Sequence, residues 1–99
     1  MIRGTTPTLE FTLPFKVDTL AEVYITLAQN GETVVEKRMT DCECDGNCLS
    51  VKLTQEETLM LECRYSTEIQ IRAKTLVGEA LASNIITCLT DRILKDGVI

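Results

Sequence analysis

Residues 68 to 75 alternate between polar and apolar side chains, which is the pattern of a β-strand with one wet and one dry face. The polar positions are Glu68, Gln70, Arg72 and Lys74, and the positions between them are Ile69, Ile71, Ala73 and Thr75. A period of two residues is typical of a half-buried strand. Val77-Gly78 then predicts a turn, and Ala80 to Leu89 predicts a returning strand.

The returning strand contains an irregularity. Pairing across the turn would bring Ala80 opposite Ala73, so that Ala80 faces inward. A strict continuation of that register would also bury the polar side chain of Asn84. We therefore expect a bulge beside Asn84 that returns Ile85 or Ile86 to the core.

Two earlier segments show the same alternation. Thr8 to Leu13 predicts an edge strand, because Pro7 and Pro14 bracket it and proline cannot donate to a sheet ladder. Glu22 to Ala28 predicts the second strand. The residues expected to face inward are Leu9, Phe11 and Leu13 in the first strand and Val23, Ile25 and Leu27 in the second.

Asn30-Gly31 is the strongest turn signal in the chain. A two-residue loop there would set Ile25 opposite Glu36 and bury charge. A loop of three residues, which also includes Gln29, would set Ile25 opposite Val35 instead. Because a one-residue slip turns every side chain over, we predict the longer loop, a type I turn closed by glycine in the left-handed region.

The middle of the chain predicts four further segments. Asp41 to Asn47 is expected to be a polar loop, and Cys48 to Leu53 a short strand. Thr54 to Glu57 has the capping-box pattern and predicts a single helical turn near Thr54-Glu57. Thr58 to Glu62 predicts another strand. The residues expected to face inward are Leu49, Val51, Leu53, Leu59 and Leu61.

These elements amount to about seven short strands with turn signals between them and no long helix. They predict one all-β domain over residues 1–99, a two-sheet antiparallel β-sandwich of immunoglobulin-like architecture. The chain has no tryptophan, so the Cys…Trp…Cys framework of antibody domains is absent. With only two phenylalanines and two tyrosines, the core must be aliphatic.

Several kinds of catalytic site are excluded by composition. Without histidine, the chain has neither a Ser-His nor a Cys-His pair, nor imidazole metal ligands. The serines, Ser50, Ser66 and Ser83, lie outside any nucleophile-elbow motif, and the five glycines are dispersed. We therefore expect no enzyme, no catalytic residue and no cofactor.

Charge and hydropathy bear on the expected partners. The net charge of −5, from 15 acidic and 10 basic residues, repels phosphate backbones and argues against nucleic acid. The longest apolar runs are a few residues, too short for a membrane span. The start, Met1 to Thr5, lacks the apolar stretch of a signal peptide, so we expect synthesis in the cytoplasm and reduced thiols.

The loop from Asp41 to Cys48 is the segment with candidate metal chemistry. Its acidic residues are spaced as in a calcium-binding EF-hand loop, with Gly46 at the sharp turn. Lys52, however, stands where that loop requires a bidentate glutamate, and no helices flank the segment. We interpret the acidic residues as a surface turn between two strands.

The same loop holds three cysteines, Cys42, Cys44 and Cys48. Thiolates favour zinc, but a structural zinc site needs a fourth ligand, here Cys63, Cys88 or a nearby carboxylate. A Cys42–Cys48 disulfide is a further alternative in an oxidising environment. The interpretation adopted is free surface thiols with no metal, and a zinc-thiolate domain is kept as the alternative function.

The last residues, Ile93 to Ile99, carry aliphatic side chains at a chain end. Two interpretations stay open. Residues 93–99 are a docking tail that adds to the sheet of a partner, or Ile93 and Leu94 finish the last strand and pack on the domain itself.

Short strings along the chain resemble small proteins of Gram-positive bacterial prophages. They are Arg3–Thr8, Leu53–Thr58, Gly78–Ile86 and Leu94–Ile99. The β-sandwich pattern also resembles the immunoglobulin-like N-terminal module of phage baseplate upper proteins. The resemblance implies a non-enzymatic protein of a phage particle, or an accessory protein encoded nearby.

We therefore expect a non-enzymatic structural or assembly protein that acts through protein–protein contacts as a virion, tail, baseplate or accessory component. Its expected partners are further copies of the chain or phage structural proteins, with neither nucleic acid nor membrane. Exposed strand edges offer unpaired N–H and C=O groups for such contacts. The candidate edges are Thr8 to Leu13 and the C-terminal strand with its tail.

Overall fold

The computed structural model describes all residues from 1 to 99 and contains eight β-strands. The strands are β1 (Thr8–Thr12), β2 (Leu20–Gln29), β3 (Glu32–Arg38), β4 (Glu43–Asp45), β5 (Cys48–Lys52), β6 (Thr67–Thr75), β7 (Ala80–Ala82) and β8 (Ile86–Cys88). One α-helix, α1, spans Gln55–Leu59, and 3-10 turns span Val17–Thr19 and Met39–Asp41. The predicted all-β class is confirmed.

The strands form two antiparallel sheets that pack face to face. The smaller sheet has the order β1-β5-β4. The larger has the order β3-β2-β6-β7, and β8 also pairs with β6, beyond the end of β7. Read along the chain, this is the strand order B-E-D and C′-C-F-G of an immunoglobulin-type sandwich without its first strand. The predicted two-sheet sandwich is therefore confirmed as an architecture.

The core lies between the sheets and is aliphatic. β2, β5 and β6 bury every second side chain there, as their alternation predicts. The buried cluster consists of Val17, Leu20, Val23, Ile25, Leu27, Val35, Leu49, Val51, Leu53, Ile69 and Ile71. Leu9, Phe11 and Leu13 cover it from the β1 side. The inward face predicted for each of these strands is correct.

The hairpin between β2 and β3 differs from the predicted three-residue loop. The turn contains only Asn30-Gly31, whose φ angles are +51° and +79°, as a type I′ turn requires. Val34 is an extra residue in β3, so Val35 pairs with Leu27 rather than with Ile25. The loop prediction is wrong, but the bulge restores the inward orientation predicted for Val35, which is 4% exposed.

The predicted loop Asp41 to Asn47 contains a strand. β4 pairs with β5 across Gly46-Asn47, and Gly46 has a φ of +60°. A left-handed first turn residue followed by a residue with negative φ is the pattern of a type II′ hairpin turn. The polar composition of β4 reflects its place at the edge of the small sheet, where both faces are exposed.

The predicted strand from Thr58 to Glu62 is absent. The predicted helical turn is present as α1, which begins after the N-cap residue Thr54. Thr54 Oγ1 accepts a hydrogen bond from the amide of Glu57 (3.1 Å), and Glu57 Oε1 accepts one from the amide of Thr54 (2.9 Å). This capping box is confirmed, and α1 continues to Leu59. Leu61 is still fully buried, in the connection that follows.

None of the helices has the length or the apolar character needed to traverse a lipid bilayer.

Candidate functional site

The three clustered thiols do not converge on one point. Cys44 pairs with Leu49, whereas Cys48 pairs with Asp45. Directly opposed residues of an antiparallel pair share a face, and successive residues alternate. Cys44 and Cys48 therefore lie on opposite faces of the β4–β5 hairpin, and all five thiols of the chain are free.

Cys42 is placed as a protonated thiol. It is half-buried against the core, and its Sγ donates to the carbonyl of Arg38 at 3.4 Å. Burial raises the pKa of the Cys42 thiol, the negative charges of Cys44 and Asp41 raise it further, and Lys37 opposes them. A zinc ligand or nucleophile needs the thiolate, which this environment disfavours.

No group of three or more Cys, Asp or Glu side chains is arranged to hold a metal ion. Cys63 lies exposed between α1 and β6, and Cys88 is half-buried in β8. The zinc-thiolate alternative was based on the sequence spacing of Cys42, Cys44 and Cys48, and the geometry of these thiols gives it no support.

The sandwich has four strand edges, and three of them carry charge or proline. β3 has charged side chains at Glu32, Glu36, Lys37 and Arg38. β4 carries Glu43 and Asp45. β1 carries Glu10 and lies between Pro7 and Pro14. Charged side chains and proline are the usual means by which proteins keep edges from pairing with other chains.

The fourth edge, formed by β7 and β8, has no such protection. From Ala80 to Thr90 there is no charged residue, proline or glycine. We call this segment, residues 80 to 90, the C-terminal edge. Sequence reasoning named the strand but missed its lack of charge, which is visible as an uncharged run in a chain with 25% charged residues.

The two strands of this edge are joined through Ser83. Its amide donates to the carbonyl of Ile71 (2.9 Å), and its Oγ accepts from the amide of Ile71 (3.0 Å). The register changes by one residue between β7 and β8, as expected of a bulge. The predicted bulge is therefore present.

The register of β7 differs from the predicted one. Ala80 pairs with Lys74 and Leu81 pairs with Ala73, so Leu81 rather than Ala80 faces inward. The bulge leaves Ile85 and Ile86 exposed, at 55% and 54%, instead of returning one of them to the core. Cys88 is the residue of β8 that packs against the core.

Both faces of the C-terminal edge are apolar. Ile86 pairs with the buried Ile69 and so shares its inner face. Ile85 lies on the outer face, beside Ala28 and Gln70. A strand that is aliphatic on both faces is typical of the interior of a sheet.

Only half of the backbone groups of β7 and β8 bond to β6, and the other half are directed away from it. Ser83 and Glu79 bond to Ile71 and Thr75, so the odd-numbered residues of β6 direct their backbone groups towards β7 and β8. Residues of β7 and β8 that lie opposite even-numbered residues of β6 direct their N–H and C=O groups outward, because hydrogen-bonded and non-hydrogen-bonded pairs alternate along an antiparallel ladder. Ala80, Ala82 and Thr87 are those residues.

An apolar groove opens next to β7, between the two sheets. It has a volume of about 310 Å³ and runs between the end of β1 and the inner face of β6 and β7. All but one of its lining residues are apolar, and they are Leu13, Pro14, Phe15, Ile71, Ala73, Leu81, Ala82 and Ser83. The groove makes the inner side of the edge accessible from the solvent.

The N-terminal residues of the chain pair with the segment that follows β8, at one end of the C-terminal edge. The amide of Asp91 donates to the carbonyl of Met1 (2.7 Å), and the amide of Arg3 donates to the carbonyl of Asp91 (3.1 Å). Ile2 forms a parallel bridge with Asp91. This short pairing limits the free edge to the residues before Leu89.

The predicted tail lies along the domain. β8 ends at Cys88, so Ile93 and Leu94 do not finish the last strand. The backbone of Ile99 instead exchanges two hydrogen bonds with the side chain of Gln55 (2.8 and 3.2 Å). Leu94 remains 94% exposed, and whether the tail docks on a partner stays a prediction.

No protein family model, curated protein or solved structure matches the chain.

Proposed function

We propose that this is a non-enzymatic structural or assembly protein that acts through protein–protein contacts at its C-terminal edge. The observation that carries the proposal is the contrast among the four edges. Only the edge formed by β7 and β8 lacks charge and proline, and it exposes aliphatic side chains on both faces. Such an edge is a hazard in an isolated domain and an interface in an assembly.

The physical basis is strand addition. A partner strand laid beside β7 and β8 would bond to the outward backbone groups of Ala80, Ala82 and Thr87. Its side chains would cover Ile85 on one face and Ile86 on the other. Main-chain bonds of this kind provide affinity, and the groove beside Leu81 provides room for an apolar side chain.

The phage setting is a part of the proposal that rests on the resemblance alone. Assembly through strand edges suits a component of a virion, tail or baseplate, because such particles are built from many subunit contacts. An accessory protein would use the same edge with fewer partners. Neither role requires a cofactor or a catalytic group.

Site-specific photo-crosslinking tests whether the edge is used. A photoreactive amino acid is placed at Thr87 on the C-terminal edge or at Thr12 on the β1 edge, both of which are exposed. We expect defined protein adducts from position 87 and none of comparable yield from position 12, in the cells or particles that contain the protein. Equal yields from both positions, or none from position 87, would contradict the proposal.

A further inference from the structure

We infer that the C-terminal edge pairs with the same edge of a second copy of this chain, as an antiparallel two-fold dimer. This inference rests on the proposed function and specifies the partner. The two sheets would join into one, with β7 of each copy beside β8 of the other.

The extent of the pairing follows from the free backbone groups. Ala80 and Ala82 lie in β7 and Thr87 lies in β8, on either side of the bulge. An antiparallel arrangement sets the outward groups of Ala80 against those of Thr87 in the second copy, and the two-fold axis repeats this contact. The Met1–Arg3 pairing at Asp91 lies outside this stretch.

The charges beside the edge favour this orientation. On the outer face of β6, Glu68 lies opposite Thr87, and Lys74 lies opposite Ala80. Each copy thus presents Glu68 beside β8 and the cations Lys74 and Arg72 beside β7, with Glu22 of β2 on the far side of Lys74 from the edge. Antiparallel pairing brings Lys74 and Arg72 of one copy towards Glu68 of the other on the same face of the joined sheet.

The distances are compatible with a moderate electrostatic contribution. Lys74 of one copy and Glu68 of the other would be separated by three strand spacings, roughly 14 Å between backbones. The residues between them are small, Ala80 and Thr87, so the long side chains can approach across them. Complementary charges of this kind set orientation more than affinity.

The other edges of the chain do not offer the same match. β4 carries only negative charges, so two copies of it would repel each other. On β1, Glu10 of one copy would repel Glu10 of the other, and the flanking prolines limit the number of ladder hydrogen bonds. β3 carries charges of both signs, but they lie in the edge strand itself. The C-terminal edge has no charged residue of its own, so two copies of it can pair as an isologous interface without burying a charge.

Sedimentation equilibrium over a wide concentration range tests the inference, with a matched pair of proline variants. Thr87→Pro and Thr12→Pro each remove one outward amide and no internal ladder bond, since both residues direct their backbone to a free edge. We expect the 11.0 kDa chain to form dimers, Thr87→Pro to raise the dissociation constant at least about tenfold, and Thr12→Pro to leave it unchanged.

A charge reversal provides a second readout if Thr87→Pro fails to fold. Glu68→Lys alone and Lys74→Glu alone are each expected to weaken the dimer by about fivefold. The double variant restores opposite charges across the two-fold axis and should recover the original dissociation constant. Additive weakening in the double variant would contradict the antiparallel arrangement.

The outcomes separate this inference from the proposed function. A strict monomer at all concentrations, with adducts to another protein from position 87, would overturn the self-pairing and leave the edge as an interface. A monomer with no adducts at all would overturn both. A dimer that is insensitive to Thr87→Pro would place self-association elsewhere and refute the inference.

Discussion

The side-chain amide of Gln29 forms hydrogen bonds with both the N–H and the C=O group of Glu62. Its Oε1 accepts from the amide of Glu62 (2.8 Å), and its Nε2 donates to the carbonyl of the same residue (2.9 Å). Gln29 is 4% exposed and also contacts the hydroxyls of Thr67 and Thr90. This one polar side chain joins the end of β2, the connection after α1 and the C-terminal segment.

Replacement of Gln29 by methionine tests that role. Gln29→Met keeps an unbranched side chain but removes all of these bonds, which leaves buried polar groups unpaired. We expect a loss of about 3 kcal/mol in the free energy of unfolding, measured by urea denaturation. Gln55→Met, which removes two exposed bonds to Ile99, is the control and should change stability much less. Equal losses in both variants would refute the assignment.

The ion pair between Lys37 and Glu57 joins β3 to α1. Their N and O atoms are 2.7 Å apart, and the side chains are only 13% and 19% exposed. Burial raises the pKa of Glu57, but the hydrogen bond from Lys37, the backbone of Thr54 and the charge of Lys37 together outweigh it and lower the pKa. The charged carboxylate is therefore the stabilising form.

The sign of the pH dependence follows from that lowered pKa. The contribution of Glu57 is fully present above its unfolded pKa, near 4.5, and is lost as the pH falls through the lower folded value. Glu57→Gln should cost about 2 kcal/mol at neutral pH, and the difference should shrink in acid. Thermal melts of both proteins from pH 7 to pH 3 measure this.

Glu62→Gln serves as the control for the same titration. Its carboxylate pairs with Arg64 at the surface, where solvent screens the interaction. We expect its unfolding midpoint to follow that of the unmodified protein at every pH. A cost for Glu57→Gln that stays constant down to pH 3 would contradict the role of the charged form.

The reactivity of the thiols tests the placement of Cys42. Because its pKa is raised and it is half-buried, Cys42 should react with iodoacetamide several-fold more slowly than the exposed Cys44 at pH 8. The gap should narrow as the pH rises and Cys42 ionises. Both cysteines lie between Arg38 and Lys52 and so share one tryptic peptide. Tandem mass spectrometry of that peptide locates the label on each cysteine and gives both rates, and preferential alkylation of Cys42 would contradict the structure.

Much of the sandwich could be predicted from alternation. In β2 and β6 every second residue is aliphatic over a long run, and the core faces of both strands follow directly from that pattern. The capping box at Thr54 was equally legible, because both of its partners lie within one helical turn.

Two of the local predictions that were wrong are the length of the loop between β2 and β3 and the strand from Thr58 to Glu62. The extra residue Val34 restores the face of Val35 after a two-residue turn, and no sequence signal marks a bulge in β3. Leu59 and Leu61 alternate over too few positions to oppose the helix that begins at Gln55.

The candidate interface was only partly predictable for a different reason. The absence of charge from Ala80 to Thr90 is visible in the sequence. That these residues form an outer strand, however, depends on which strands pair, and pairing is a property of the whole fold. The uncharged run from Ala80 to Thr90 indicates an interface only because the topology places it at a sheet edge, since the same run in a central strand would be ordinary core.

Residue-resolved amide hydrogen exchange at the C-terminal edge tests the central claim most directly. In dilute protein the amide of Thr87 should exchange rapidly, because it is directed to the free edge, while that of Cys88 is protected by β6. At high protein concentration we predict that Thr87 becomes at least about tenfold more protected and Cys88 changes little. An unchanged, rapid exchange of Thr87 at every concentration and with every crosslinked partner would contradict the account.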